Sequence, residues 1–487
     1  MLEKLNPSLV WKYFEEILAI PRPSKKEEKI IAYLEAFAKN NKLEYKIDKA
    51  GNVLISKPAT RGYERVKTVV LQSHVDMVCE KNSDSKHNFD TDPIIPMIDG
   101  EWLKAKETTL GADNGIGVAT QLALLASKDV EHGPLECLFT VDEETGLTGA
   151  FALKPGFFTG KILINLDSED EGEIFIGCAG GKDTVATMKF EPKKAPGKQI
   201  ALKISVSGLR GGHSGDDIHK GYANAVKLLT RILYLLDQKY GYRLANIDGG
   251  NLRNAIAREA YAIIYVTHEK VTKIKDEVYA FEKILKDEYK HTESNLKVAM
   301  EELDKKSRPE TIIDKRTQPK IIQSLYACPH GVIAWSQDMP GLVETSTNLA
   351  SIKIKGKNKI EITTSQRSSV ESAKTDVVNM VETVFLLAGA DVKHSNGYPG
   401  WKPNPQSPIL EVSKKVYQQL FNEDPKVKAI HAGLECGLFL EKYPDLDMIS
   451  IGPTMRGVHS PDERLHIPSV EKFWKFLTEI LVNVPSK

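Results

Sequence analysis

The stretch VKTVVLQSHVD, residues 66–76, holds an apolar run of strand length that ends directly on His74 and Asp76. Three other runs share its character: LECLFTV (135–141), KILINL (161–166) and DMISIG (447–452). Each is too short for a helix and near-continuously apolar, the pattern of strands buried on both faces. Between the first two lies GADNGIGVATQLALLAS, a glycine-rich turn leading into an amphipathic helix. Upstream, helical spacing covers about 8–19, and a second helix is expected after Pro23-Ser24. Strands alternating with helices predict an α/β domain with a mostly parallel central sheet.

The middle of the chain has a different rhythm. KQIALKISVSG, EAYAIIYVTHE and NKIEITTSQRSS alternate apolar and polar residues, as strands with one wet face do. Helical patterns accompany them at about 218–239, 272–303 and 369–388. This predicts an inserted α+β domain, with the Gly- and Pro-dense HSNGYPGWKPNPQSP (394–408) as the return. The expected organisation is a catalytic domain in two parts, 1–186 and 398–487, interrupted by a lid and dimerisation domain at 187–397. A length of 487 residues exceeds what one core usually supports.

Composition narrows the function classes. Sixty-six basic and 66 acidic residues cancel, giving no electrostatic reason to expect nucleic acid or an anionic membrane as partner. No apolar stretch reaches the roughly 20 residues of a membrane span. The N-terminal residues lack a secretory apolar core, and five scattered cysteines never form CxxC. These features predict a cytoplasmic protein without a disulfide framework or thiolate zinc site.

Chemistry-bearing residues follow the buried strands. His74 and Asp76 follow the first, Asp142-Glu143-Glu144 the second, and Asp167 the third. His459 lies in a loop after the fourth, and the glycine turn supplies Asp113. In open α/β sheets ligands bind beyond the carboxyl ends of the strands. Two histidines with several carboxylates make a nitrogen–oxygen donor set suited to zinc, manganese or cobalt. In His74-x-Asp76 both side chains point the same way if the segment is extended, so Asp76 can accept the second imidazole N–H. Of the adjacent Glu143 and Glu144, one can bind metal while the other takes a proton from water. Singly, each residue has an ordinary reading as turn, cap or exposed loop; jointly they predict a metal site.

SHVDMV, TTLGADNGIG, VDEETGLTGA, INLDSED and GVHSPDE resemble, in order and spacing, the motifs of the M20 family of metallopeptidases. HAGLECGLF (431–439) and SGLRGGHSG (207–215) are similar to its Xaa-His dipeptidase branch. The resemblance covers essentially the whole chain. It implies two divalent ions per subunit, zinc first, with cobalt or manganese also suited. His74, Asp113 and Asp167 would hold one ion, and Asp113, Glu144 and His459 the other. It further implies Glu143 as general base, Asp76 as the orienting partner of His74, and a homodimer formed through the inserted domain, by the helix expected at 218–239 and an edge strand.

On that reading the substrate is a short peptide, with dipeptides of the Xaa-His type included. His213, among glycines, is the expected stabiliser of the oxyanion, and the resemblance suggests that it acts across the dimer interface. Arg367 suits the substrate carboxylate because a guanidinium forks onto it. Asn254 and Arg258 are further candidates for orienting the peptide, with a structural ion pair as the alternative for Arg258. His431 and Glu435 are assigned to substrate contact or to support of the site. An aminoacylase, carboxypeptidase or aminopeptidase on the same scaffold is the nearest rival, and a metal-binding scaffold without catalysis a more distant one. HExxH and GxSxG motifs are absent.

Overall fold

A computed structural model describes residues 2–486. They form two compact units. The first runs through Gly177 and adds Pro403–Ala429 and the residues from Leu434 onward; the second comprises Cys178–Lys402 and Ile430–Gly433. The division expected after residue 186 falls inside the strand Gly180–Lys189, whose ladder pairs belong to the second unit. Tyr398 and Trp401, expected in the catalytic part 398–487, bridge to Gly181 and Cys178 in that same unit.

In the first unit the four apolar runs become Leu135–Thr140, Val69–His74, Ile162–Asn165 and Asp447–Ser450. They lie side by side in that order and are parallel. Every residue of Val69–His74 and Leu135–Thr140 is buried, so both faces of this part of the sheet are covered. The outer strands depart from the parallel arrangement. Val53–Lys57 pairs antiparallel with Leu135–Thr140, and Glu173–Cys178 antiparallel with Asp447–Ser450. Helices Ser8–Leu18 and Ala112–Ala126 pack together, the latter against Val69–His74. Helices Pro408–Phe421 and Ile467–Asn483 pack as another pair.

The second unit is built on a nine-stranded sheet whose pairings are antiparallel. Ile200–Ser207 alternates buried and half-buried positions, as its sequence predicts. Helices Ala225–Lys239, Val271–Glu288 and Glu371–Leu387 contribute Leu229, Ile274 and Phe385 to the core over this sheet. Two helical expectations need correction. The pattern at 218–239 becomes helical only at Ala225, where the Asn224 side chain accepts the Val226 and Lys227 N–H groups and caps the helix. The pattern at 272–303 divides into a helix ending at Glu288 and the strand Lys297–Glu302. KVAMEE has good helix formers, yet its backbone pairs with Ile200–Ser207 along six positions, and tertiary pairing outweighs local propensity.

Candidate active site

Five side chains of the first unit form a chain of alternating carboxylates and imidazoles at the carboxyl end of the parallel strands. His74, the last residue of its strand, is 1% exposed. Its Nε2 lies 3.4 Å from Asp167 Oδ1 and 3.0 Å from Asp113 Oδ1. The other Asp113 oxygen lies 3.0 Å from His459 Nε2, which in turn is 3.1 Å from Glu144 Oε2. Asp113 thus presents one oxygen to each imidazole, in the place a bridging ligand requires.

Local structure explains each position. Asp113 and Asn114 have non-helical backbone angles at the start of Ala112–Ala126, so the turn projects side chains before the helix proper begins. Asn114 donates to the Leu166 carbonyl and to Asp167 Oδ1, tying the turn to the strand end that supplies Asp167. A Cβ at Gly117 would collide with that Asn114 side chain and with the Leu166 carbonyl, so this glycine makes room for the tie. His459 sits in a loop with a left-handed backbone (φ 62°), and its side chain is half-exposed.

Asp76 does more than the sequence predicts. Its Oδ1 lies 3.3 Å from His74 Nδ1 and also accepts the Glu143 N–H; its Oδ2 accepts the Glu144 N–H and the Ser24 hydroxyl. One carboxylate therefore fixes the His74 ring and the backbone of both glutamates. Glu143 and Glu144 lie in a single helical turn, Glu143–Gly146, rather than an extended segment. Neighbouring side chains in a helix still diverge, by about 100°.

The electrostatics are those of a site made for cations. Burial pushes the Asp76 carboxyl up, yet hydrogen bonding to His74 and the Glu143 N–H brings it down to about 2. Burial likewise opposes the ionised form of Asp113, but His459 and His74 hold it well below the carboxylate range. Asp167 goes the other way, to about 6, because burial and Asp113 outweigh His74. Glu143 is raised well above the usual range by burial, against the pull of His74 and with the help of Asp167 and Glu435. Hydrogen bonds to Asp113 and Glu144 raise His459 to about 11. Protons on the imidazoles supply the positive charge, and cation binding would release them.

The donor set fits divalent ions. His74, Asp113 and Glu144 each offer an atom within 4.8 Å of the others, and the buried Glu144 Oε1 has no hydrogen bond. Imidazole and carboxylate donors without thiolate suit zinc, manganese or cobalt.

Glu435 is 1% exposed, and its carboxyl accepts from Gln72 Nε2 at 2.6 Å and Thr140 Oγ1 at 2.8 Å. It therefore joins the ends of the strands that carry His74 and precede Glu143. Burial raises it to about 8. Gln72 and Thr140 were not singled out from the sequence, where they read as polar interruptions of apolar runs.

A second group of candidates gathers within the second unit. His213 Nδ1 lies 3.2 Å from Asp216 Oδ2, and the His213 N–H donates to Asp217 Oδ2. The Ser214 N–H donates to the Asn254 carbonyl, so the Asn254 loop and the His213 loop are bonded to each other. Arg258 packs over Gly211 and donates to the Leu209 carbonyl, a bond to backbone and not the ion pair named as its alternative. Arg367 is buried, donates through Nη1 to the Tyr398 hydroxyl, and leaves Nε without a hydrogen bond. His431 Nε2 lies 2.7 Å from the Ser346 hydroxyl. Burial and the Arg367 charge lower His431 to about 3, so it is neutral at physiological pH. A fixed guanidinium beside neutral imidazole is suited to a carboxylate ligand.

Known proteins agree with this architecture. The model of Peptidase family M20/M25/M40 matches residues 70–483. A cytosol non-specific dipeptidase from Escherichia coli is 46% identical over 486 residues, covering 100% of this chain and 99% of the relative. The crystal structure of aminoacylhistidine dipeptidase from Vibrio alginolyticus superposes with a TM-score of 0.94 at 43% identity, covering 100% of this chain and 99% of that one. An aminopeptidase from Bacillus cereus shares the fold at a TM-score of 0.58 and 16% identity, over 99% of each chain. The chain belongs to the M20 peptidase family and is a peptide hydrolase.

Proposed function

We propose that this chain is a two-metal dipeptidase of the cytoplasm, accepting Xaa-His dipeptides and others. The observation that carries the reading is Asp113, whose two oxygens face His74 and His459, each beside a further carboxylate. His74, Asp113 and Asp167 would hold one divalent ion, and Asp113, Glu144 and His459 the other, with zinc the first choice. When bound, such ions supply Lewis acidity toward the scissile carbonyl and a more acidic water.

The chain's own residues do the rest. Glu143 accepts the proton of the attacking water and delivers it to the leaving amine. Asp76 holds the His74 ring and the Glu143 backbone in place during that transfer. His213 donates to the developing oxyanion, across a dimer formed by the second unit, which also serves as a lid. Arg367 receives the substrate carboxylate, with Asn254 orienting the peptide. The names of the two similar dipeptidases, one non-specific and one for aminoacyl-histidine, support dipeptides as the substrate class and leave its breadth to experiment.

The test is release of free histidine from β-alanyl-histidine by the purified, chelated and zinc-restored protein. Dipeptides without histidine, a tripeptide and an N-acetylated dipeptide complete the panel. The expected result is metal-dependent cleavage of free dipeptides. Cleavage confined to the longer or blocked substrates would replace the dipeptidase reading with an aminopeptidase, carboxypeptidase or aminoacylase.

A further inference from the structure

Two buried side chains of opposite charge grip the glycine turn that carries Asp113. Arg22 is 1% exposed and lies just after the first helix. Its Nη1 donates to the carbonyls of Val75 (3.0 Å) and Asp76 (2.9 Å), and its Nη2 to the carbonyl of Gly111. Glu463 is 2% exposed and lies four residues beyond His459 in the same loop. Its Oε2 accepts from the Leu110 and Gly111 N–H groups at 2.7 and 2.9 Å, and its Oε1 from those of Ala112 and Asp113 at 2.7 and 3.3 Å.

We infer that Arg22 and Glu463 are positioning residues that set the Asp113 carboxylate between His74 and His459. The inference rests on the two-cation reading of the site. The segments bearing those three residues are distant in sequence. Arg22 ties the His74–Asp76 segment to the turn's carbonyl side. Glu463 ties the His459 loop to its amide side. A planar guanidinium reaches three carbonyls in a fixed fork, which a lysine ammonium cannot reproduce. A carboxylate at four consecutive amides satisfies the N–H groups of a turn that precedes the helix proper, with charge-assisted bonds.

The glycines of the motif serve the same grip. Gly111 has a left-handed backbone (φ 69°), and a Cβ there or at Gly115 would stand 2.6 Å from Arg22 Nη2. The turn is therefore shaped around the guanidinium as well as around the ligand it presents. Both charged residues spend their polar atoms on backbone within or beside ligand-bearing segments.

A comparison within the same unit separates positioning from plain structural support. Glu136 is also a buried carboxylate bonded to backbone: it accepts the Thr159 and Gly160 N–H groups and the Thr159 hydroxyl. It sits at the opposite end of its strand from the imidazoles. Metal-free protein is titrated with Co2+ while visible absorption is recorded, for wild type, Glu463→Gln, Arg22→Lys and Glu136→Gln. Thermal midpoints of the metal-free proteins are measured alongside. Glu463→Gln and Arg22→Lys are expected to bind Co2+ about 10- to 100-fold more weakly, with an altered d–d band. Glu136→Gln is expected to lose heat stability and keep the wild-type affinity and spectrum. Arg22→Lys carries the test from the other side of the turn if Glu463→Gln does not fold. Wild-type Co2+ affinity and spectrum in folded Glu463→Gln or Arg22→Lys would overturn the inference. Wild type that binds no Co2+ would instead overturn the two-cation reading on which it stands.

Discussion

The two ends of the parallel strands in the first unit treat buried acids in opposite ways. At the amino end Glu136 accepts four hydrogen bonds from three donor groups of Thr159 and Gly160, which close the turn before the next strand. At the carboxyl end Glu143, Asp167 and Glu435 are all raised by burial and by neighbouring carboxylates, and Glu144 keeps an oxygen without a hydrogen bond. A buried carboxylate kept for the fold is bonded out locally. The carboxylates proposed for the chemistry are left beside one another, which costs stability until positive charge arrives.

The largest effect that could break this comparison is on turnover. Glu143→Gln removes the proposed base and should lower kcat by about 10²- to 10⁴-fold, the usual range for a general base, while two metal ions per chain remain by elemental analysis. Unaltered turnover would remove Glu143 from the chemistry and leave its raised carboxyl unexplained. A smaller effect tests the amino end. Glu136→Gln strips charge from these hydrogen bonds and should destabilise the protein by about 1.5–3 kcal/mol, read as a shift in the urea midpoint. KM and kcat of the folded variant should stay at wild-type values.

Much of this contrast was legible in the sequence because the strands are. A run such as LECLFTV has one reading at its length, and Asp142-Glu143-Glu144 directly after it falls where α/β folds place their ligands. Helix ends and the strand Lys297–Glu302 were less legible, since Lys, Ala, Met and Glu favour a helix until a partner strand is present. Arg22 gave no signal, and Asn114 and Glu463 lie within TTLGADNGIG and GVHSPDE without a role of their own being legible there. PRPS reads as a helix start and SPDERL as an exposed polar loop, because burial of a charge is decided by distant backbone and not by neighbours in sequence. Glycine spacing in GADNGIG was the one available hint, and it pointed to a tight turn without naming the arginine it encloses.

A smaller effect at any single pH step, at most about 1.4 kcal/mol per unit, concerns Glu435, which lies between the two regimes. It has two hydrogen bonds, from Gln72 and Thr140, yet its Oε1 has none and burial raises it to about 8 from an ordinary value of 4.5. In metal-free protein the folded state therefore keeps this proton up to about pH 8, whereas the unfolded chain releases it near 4.5. Between those values the folded state binds more protons, so the contribution of Glu435 is fully present below the lower value. It is lost as pH rises toward the upper one, with a slope of at most about 1.4 kcal/mol per pH unit. Asp167 titrates in the same window, so the informative quantity is the difference between wild type and Glu435→Gln, which holds its shape and cannot ionise. Urea midpoints of the two proteins should diverge as pH rises through this window, with the variant falling less. Parallel curves would mean that Glu435 is already ionised in the folded protein. Its two hydrogen bonds would then place it with Glu136, among the acids held for the fold.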